Sequence, residues 1–195
     1  MFTLYEKFTG SGAAQLLMGL PNGTEKTYEN DWLEFKGGKT EGEDLKKAWS
    51  KAICSFANSE GGILIWGLRC AKGKTSNIDA VSELDLVKDI NALKSRLMEL
   101  RHASNDPPVA GIQIQAIPTS PGASEGFVVC LIPESLSKPH RAEFSGKRFY
   151  IRMGDSSNEC NVSLLRQLFY PKRTLRMRVQ VTLKPIPIGV DFKTV

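Results

Sequence analysis

The sequence predicts an α/β (α+β) fold, a single domain in which a mixed β-sheet is flanked by helices. Three observations predict it. Residues 31–36 alternate, with Leu33 and Phe35 on one side and Trp32, Glu34 and Lys36 on the other, as a strand requires. Residues 43–58 place Leu45, Ala48, Trp49, Ala52, Ile53 and Phe56 along one helical stripe, with Lys46, Lys47 and Lys51 on the opposite side. Residues 63–68 are apolar throughout, the pattern of a central strand buried on both faces.

The remaining elements follow in chain order. Residues 1–27 form a weakly patterned N-terminal extension, with a short helix over 13–20 ended by Pro21-Asn22-Gly23. Gly37-Gly38 stops the first strand, and Ser59-Glu60-Gly61-Gly62 turns helix into strand. Residues 69–77 read as a polar loop. Ser82 is placed to cap a helix reaching residue 100, with Leu86, Ile90, Leu93 and Leu97 inward. Strands follow at 112–117, 127–132 and 147–152. In the last of these Phe149 and Ile151 are expected inward, and Arg148, Tyr150 and Arg152 outward. A short helix over 163–169 closes a domain spanning 28–170. Residues 174–183 alternate as a final strand, so 171–195 is a basic strand or the start of a further domain. The order β-α-β-α-β-β-β-α-β suits one domain.

Composition narrows the class. The chain has 195 residues, 41% hydrophobic and 24% charged, which is ordinary globular material. No apolar run approaches the ~20 residues that span a bilayer, so no membrane partner is expected. No basic segment precedes an apolar stretch at the N-terminus. Cys54, Cys70, Cys130 and Cys160 form no Cys-x-x-Cys pair, which points to reduced thiols in the cytoplasm rather than a zinc knuckle. The net charge is +5, and residues 171–195 alone carry Lys172, Arg173, Arg176, Arg178, Lys184 and Lys193 against Asp191. Clustered Lys and Arg of this kind suit phosphate contacts, and equally an edge strand guarded by charge.

Two segments carry the chemistry: Glu29-Asn30-Asp31-Trp32-Leu33-Glu34-Phe35-Lys36, and Ser55-Phe56-Ala57-Asn58 followed by Gly61-Gly62 and a strand ending in Gly67. A third follows at Lys138-Pro139-His140 and Phe149-Tyr150-Ile151-Arg152-Met153-Gly154-Asp155-Ser156-Ser157. In this order and spacing they resemble the Schlafen, or AlbA_2, family. That resemblance implies nucleic-acid binding, of RNA or DNA. For active members it implies divalent-metal-dependent endoribonuclease chemistry on structured RNA such as tRNA. The catalytic residues it implies are Glu29, Glu34 and Lys36, with Glu29 and Glu34 as ligands for Mg²⁺ or Mn²⁺. Glu34 and Lys36, two apart on a strand, share a face. Glu29 is an odd number of residues away, so it joins them only by lying before the strand or at a bulge.

The chain departs from the family at one position. Where nuclease members carry a third acidic ligand after the Gly-Gly strand, this chain has Cys70, preceded by Arg69. A thiol is a poor ligand for Mg²⁺, and Arg69 suits a phosphate better than a metal. Asp79 and Glu60 are nearby carboxylates, but neither matches the motif. The expected nucleic-acid contacts are Lys36, Lys46, Lys47, Arg69, Arg148, Tyr150, Arg152, Lys172, Arg173, Arg176 and Arg178. Asn58 and Gly61-Gly62 read as structural, bonding backbone and permitting a tight turn.

Gly38-Lys39-Thr40 resembles the tail of a phosphate-binding loop, but Leu33 stands where its first glycine belongs. His102 and His140 pair with no nucleophile by spacing, so a hydrolytic triad has no support. Three functions remain: a nucleic-acid-binding module with a degenerate metal site, a metal-dependent endoribonuclease, and an ATP-binding regulatory domain.

Overall fold

The structure, a computed structural model, describes residues 2–23, 27–72 and 79–170. Helices α1 (Phe2–Thr9) and α2 (Ala13–Gly19) lead through a 3-10 turn (Leu20–Asn22) to β1 (Leu33–Lys36). Helix α3 (Gly42–Asn58) carries the chain back to β2 (Gly61–Trp66), which lies parallel to β1 with Leu33 opposite Ile63 and Lys36 opposite Trp66. A hairpin, β3 (Leu68–Lys72) and β4 (Asp79–Leu84), precedes α4 (Ile90–Leu100). After the short β5 (Asn105–Asp106), β6 (Gln113–Pro118) and β7 (Gly126–Pro133) pair as a second hairpin. The chain ends its described course with β8 (Arg141–Ala142), the hairpin β9 (Tyr150–Met153) and β10 (Ser156–Glu159), and α5 (Val162–Phe169). The main sheet runs β1-β2-β7-β6, with β7 antiparallel to both its neighbours. It is the mixed sheet flanked by helices that the sequence predicts.

Alternation along β2 divides the core. Leu64 and Trp66 face α3 and α4, where they meet Leu45, Trp49, Ile53, Phe56, Ile90 and Leu97. Ile63 and Ile65 face the other way, with Leu33 and Phe35, onto Tyr5, Phe8 and Leu17. The two N-terminal helices, weakly patterned in sequence, thus cover one face of the sheet. Trp49 and Phe56 are both fully buried. Glu34 and Lys36 take the opposite side of β1 from Leu33 and Phe35, which directs them toward α3.

Three elements differ from expectation. The strand expected over 63–68 breaks at Gly67, which has φ +115° and donates its N–H to the Lys36 carbonyl at 2.8 Å. A Cβ there would lie 2.7 Å from the Phe127 ring, so the bend needs glycine. The first part of the expected polar loop, 69–72, instead belongs to β3 (Leu68–Lys72), and residues 73–78 lie outside the described residues. The helix expected from Ser82 starts at Ile90, capped by Asp89, whose Oδ1 accepts from Asn91 and Ala92 at 3.1 and 2.9 Å. Ser82 lies in β4, donating to the Arg69 carbonyl at 3.1 Å. Strand pairing with β3 overrides the helical periodicity of this stretch. The strand expected over 174–183 lies outside the described residues.

Helix α3 fastens the β9 hairpin with its last turn. The Asn58 amide donates to the carbonyls of His140 and Tyr150 at 2.9 and 3.0 Å, and its oxygen accepts from His140 N–H at 2.7 Å. Cys54 Sγ accepts from Tyr150 N–H at 3.2 Å and donates to the His140 carbonyl at 3.1 Å. Burial pushes the Cys54 thiol up to about 12, so it remains a neutral donor. Asn58→Ala would remove three buried hydrogen bonds to the backbone of His140 and Tyr150. The expected loss is about 2–5 kcal/mol of unfolding free energy in urea titration, and near-neutral behaviour would refute the clamp.

Candidate nucleic-acid groove

The groove is organised by one carboxylate held between two cations. Glu34 Oε1 lies 2.7 Å from Lys36 Nζ, and Glu34 Oε2 accepts from Arg152 Nη1 at 2.6 Å. The rest of the Arg152 guanidinium is also spent. Nε donates to the Asn30 carbonyl at 3.0 Å and Nη2 to the Leu33 carbonyl at 3.1 Å, while the group lies 5.2 Å from the Phe56 ring centroid. Its side chain is 1% exposed. Burial lowers the Lys36 pKa, but the adjacent Glu34 outweighs burial and leaves it above the usual value.

Glu29 joins this pair from before β1. The turn Asn30–Leu33 reverses the chain, and Glu29 Oε1 accepts from Phe35 N–H at 2.9 Å. Burial raises its pKa from 4.5 to about 7. The Phe35 N–H opposes this, Glu34 adds to it, and Lys36 and Arg152 oppose it. Cys70 stands in the field of the same groups. Burial, then the charges of Glu29 and Asp79, push its thiol up to about 12, with Glu34 adding and Lys36 opposing.

Glu29, Glu34, Lys36 and Arg152 line an open cavity of about 490 Å³ together with Lys51 of α3 and residues 155–158 at the β9–β10 turn. Lys51 Nζ sits 5.0 Å from the Tyr150 ring centroid. The sequence displays Lys51 only as part of a polar helix face. Its position in the groove depends on the docking of the β9 hairpin against α3, which no local pattern encodes.

Other expected contacts are not gathered here. The face assignment of β9 is reversed. Tyr150 and Arg152 are buried against α3, whereas Phe149 turns away to meet Phe169 edge-on at 6.0 Å. Tyr150 therefore offers no stacking platform to solvent. Arg148 is exposed and paired with Glu159 at 2.7 Å. Lys46 and Lys47 pair one turn back with Glu43 and Asp44. Arg69 turns from Cys70 toward Asp85, 2.8 Å away, and Lys39 reaches the same carboxylate at 3.5 Å. The Gly38-Lys39-Thr40 loop is likewise tied to protein, with Gly38 N–H on the Asp85 carbonyl at 2.6 Å and Thr40 Oγ1 on that of Gly37 at 3.0 Å. Lys172, Arg173, Arg176 and Arg178 lie outside the described residues.

A hard divalent cation needs several ionised oxygens. Both oxygens of Glu34 are engaged by cations, burial holds Glu29 toward its protonated form, and Cys70 offers a neutral thiol. Among the described residues no group of three or more His, Cys, Asp or Glu could hold a metal ion. The donor set in this arrangement does not fit Mg²⁺ or Mn²⁺.

Fold and groove define a small α/β domain with an ion-paired acidic centre rimmed by lysines. The family model described as Schlafen, AlbA_2 matches residues 29–161, and the chain belongs to that family. No curated protein matches it. Among solved structures, the chain is similar to the DIP2311 protein from Corynebacterium diphtheriae, with 18% identity and a TM-score of 0.39 over 70% of this chain and 24% of that one. It is also similar to the N-terminal domain of a putative ATP-dependent DNA helicase RecG-related protein from Nitrosomonas europaea, with 18% identity and a TM-score of 0.46 over 76% of this chain and 93% of that one. The chain thus spans about a quarter of the first of these and nearly all of the second. No described helix is long and apolar enough to cross a membrane.

Two outcomes test the centre. A folded pKa above the unfolded one means that Glu29 binds its proton more tightly when folded. Its stabilising contribution is complete below pH 4.5 and is lost as pH rises through about 7. Glu29→Gln, a mimic of the protonated form, should therefore raise stability at about pH 8, on the order of 2 kcal/mol, and give little at about pH 4. Thermal melts at both pH values read this directly. Arg152→Met should cost about 3–5 kcal/mol, because it leaves the buried Glu34 with Lys36 alone; a smaller loss in Glu34→Gln/Arg152→Met than the two single losses combined would demonstrate the coupling.

Proposed function

We propose that this protein is a nucleic-acid-binding module whose phosphate contacts run through the Lys36–Lys51 groove, without metal-dependent cleavage. The observation that carries the reading is the closure of Glu34 between Lys36 and Arg152. Glu34 is offset by Lys36 and Arg152, so the lining carries three cations, Lys36, Lys51 and Arg152, against Glu34, Asp155 and, when ionised, Glu29; protonation of Glu29 leaves the groove net positive. Membership of a nucleic-acid-associated family supports the same reading. RNA and DNA backbones present the same phosphate to this groove.

Binding should be retained in EDTA and should weaken steeply with salt, since each neutralised phosphate releases counterion. Lys51→Ala should lower affinity across sequences and reduce the slope of log K against log salt by about 1. Fluorescence anisotropy with labelled oligonucleotides measures both. Affinity should also fall from about pH 6 to about pH 8 as Glu29 ionises beside Lys36, and Glu29→Gln should flatten that dependence. Salt-independent binding would refute the groove. Cleavage of RNA in Mg²⁺ or Mn²⁺ that disappears in Glu34→Ala would replace this reading with that of an endoribonuclease.

A further inference from the structure

Beside the lysine groove lies a second cavity of different chemistry. It has a volume of about 410 Å³ and is lined by Asp31, Trp32, Ser59, Glu60 and Arg152. Arg152 borders both cavities, so the two adjoin across its buried side chain. Trp32 is 47% exposed, although its ring is among the most costly apolar surfaces to leave in water. Its backbone is fixed on every side. Trp32 N–H donates to Asn30 Oδ1 at 2.9 Å, its carbonyl accepts from Ile63 N–H at 2.7 Å, and Asp31 Oδ1 accepts from Gly154 N–H at 2.6 Å. The indole is thus an exposed ring on a rigid turn tied to β2 and to the β9–β10 turn.

The two cavities differ in charge. Lys36, Lys51 and Arg152 line the first with Glu29, Glu34 and Asp155, whereas Asp31 and Glu60 line the second with Arg152 alone as cation. The two lysines make the first the better seat for a phosphate. A nucleobase is neutral, has a π face for the indole, and, when it carries an exocyclic amino group, donates hydrogen bonds that carboxylates accept. In a duplex that π face is stacked and unavailable.

Resting on the nucleic-acid reading above, we propose that the Trp32 cavity takes an unpaired, amino-bearing nucleobase while the adjoining phosphate lies at Lys36 and Lys51. The protein then selects single-stranded segments over duplex, and Trp32 is the specificity-determining residue of the groove. The two adjoining cavities account for both halves of a nucleotide, and the exposure of Trp32 is explained by the ring it receives.

The other two tryptophans, Trp49 and Trp66, are wholly buried, so fluorescence quenching on binding reports Trp32. Wild-type protein is titrated with oligocytidylate, oligouridylate and duplex of about 12 nucleotides, following intrinsic fluorescence and, separately, the anisotropy of an end label. The expected result is quenching by single strands, with cytidylate bound more tightly than uridylate and duplex bound most weakly. Trp32→Ala should lose about tenfold or more in single-strand affinity, Trp32→Phe should recover most of it, and Glu60→Gln should narrow the cytidylate preference. Because Trp32 is exposed, thermal melting of these variants should match wild type. Wild-type affinity in Trp32→Ala, absence of quenching in saturated wild type, or duplex bound as tightly as single strand would each overturn this proposal while leaving phosphate binding intact. Failure of every oligonucleotide to shift the anisotropy would overturn the nucleic-acid reading, and this proposal with it.

Discussion

The buried guanidinium of Arg152 is the contact on which the groove depends. It joins β9 to the start of β1 through the carbonyls of Asn30 and Leu33, to the acidic centre through Glu34, and to α3 through the face of Phe56. A charge this deeply buried is tolerated only when its donors are matched, and here each matched acceptor belongs to the segment that forms the groove. The turn that presents Trp32, the strand that presents Glu34 and Lys36, and the hairpin that closes the cavity are thereby held in one arrangement. Asn58 and Cys54 do similar work one layer away, fastening the backbone of β9 so that Arg152 can reach its partners.

The same ion pairing decides the chemistry available. A carboxylate that holds two cations has little left for a third, so Glu34 acts as an internal counterion that orients Lys36. The neighbouring Glu29 has its pKa raised chiefly by burial, with Glu34 beside it adding to the shift. Burial holds Glu29 toward its protonated form, while Cys70 at the edge of the centre stays a neutral thiol. This gives physical content to the replacement of the family's third acidic ligand by Cys70.

Much of this was legible in the primary structure. The alternation of 31–36 placed Glu34 and Lys36 on one face, the stripe of 43–58 buried Trp49 and Phe56, and the order of the three motifs identified the family. The odd spacing of Glu29 left it a place before the strand or at a bulge, and it is found before the strand. Each of these depends on periodicity or local chain geometry, which sequence records directly. The helix expected from Ser82 failed because Leu86, Ile90, Leu93 and Leu97 keep helical spacing across a boundary set by cross-strand pairing of 79–84. The faces of β9 were inverted because Tyr150 and Arg152 resemble solvent-facing residues, and only α3 supplies the partners that make burying them favourable.

Local sequence therefore determined which segments are strands and helices over most of the chain, and which carboxylates and lysine share a strand face. Tertiary structure alone decided that Arg152 is an internal counterpart of Glu34, that Arg69 belongs to Asp85, and that Lys51 and Trp32 border adjoining cavities. The physical reason is the range of the forces. Hydrophobic periodicity and turn chemistry act within a few residues, whereas the neutralisation of a buried charge is resolved between groups far apart in sequence, as Glu34 and Arg152 are, once the chain has brought them within hydrogen-bonding distance.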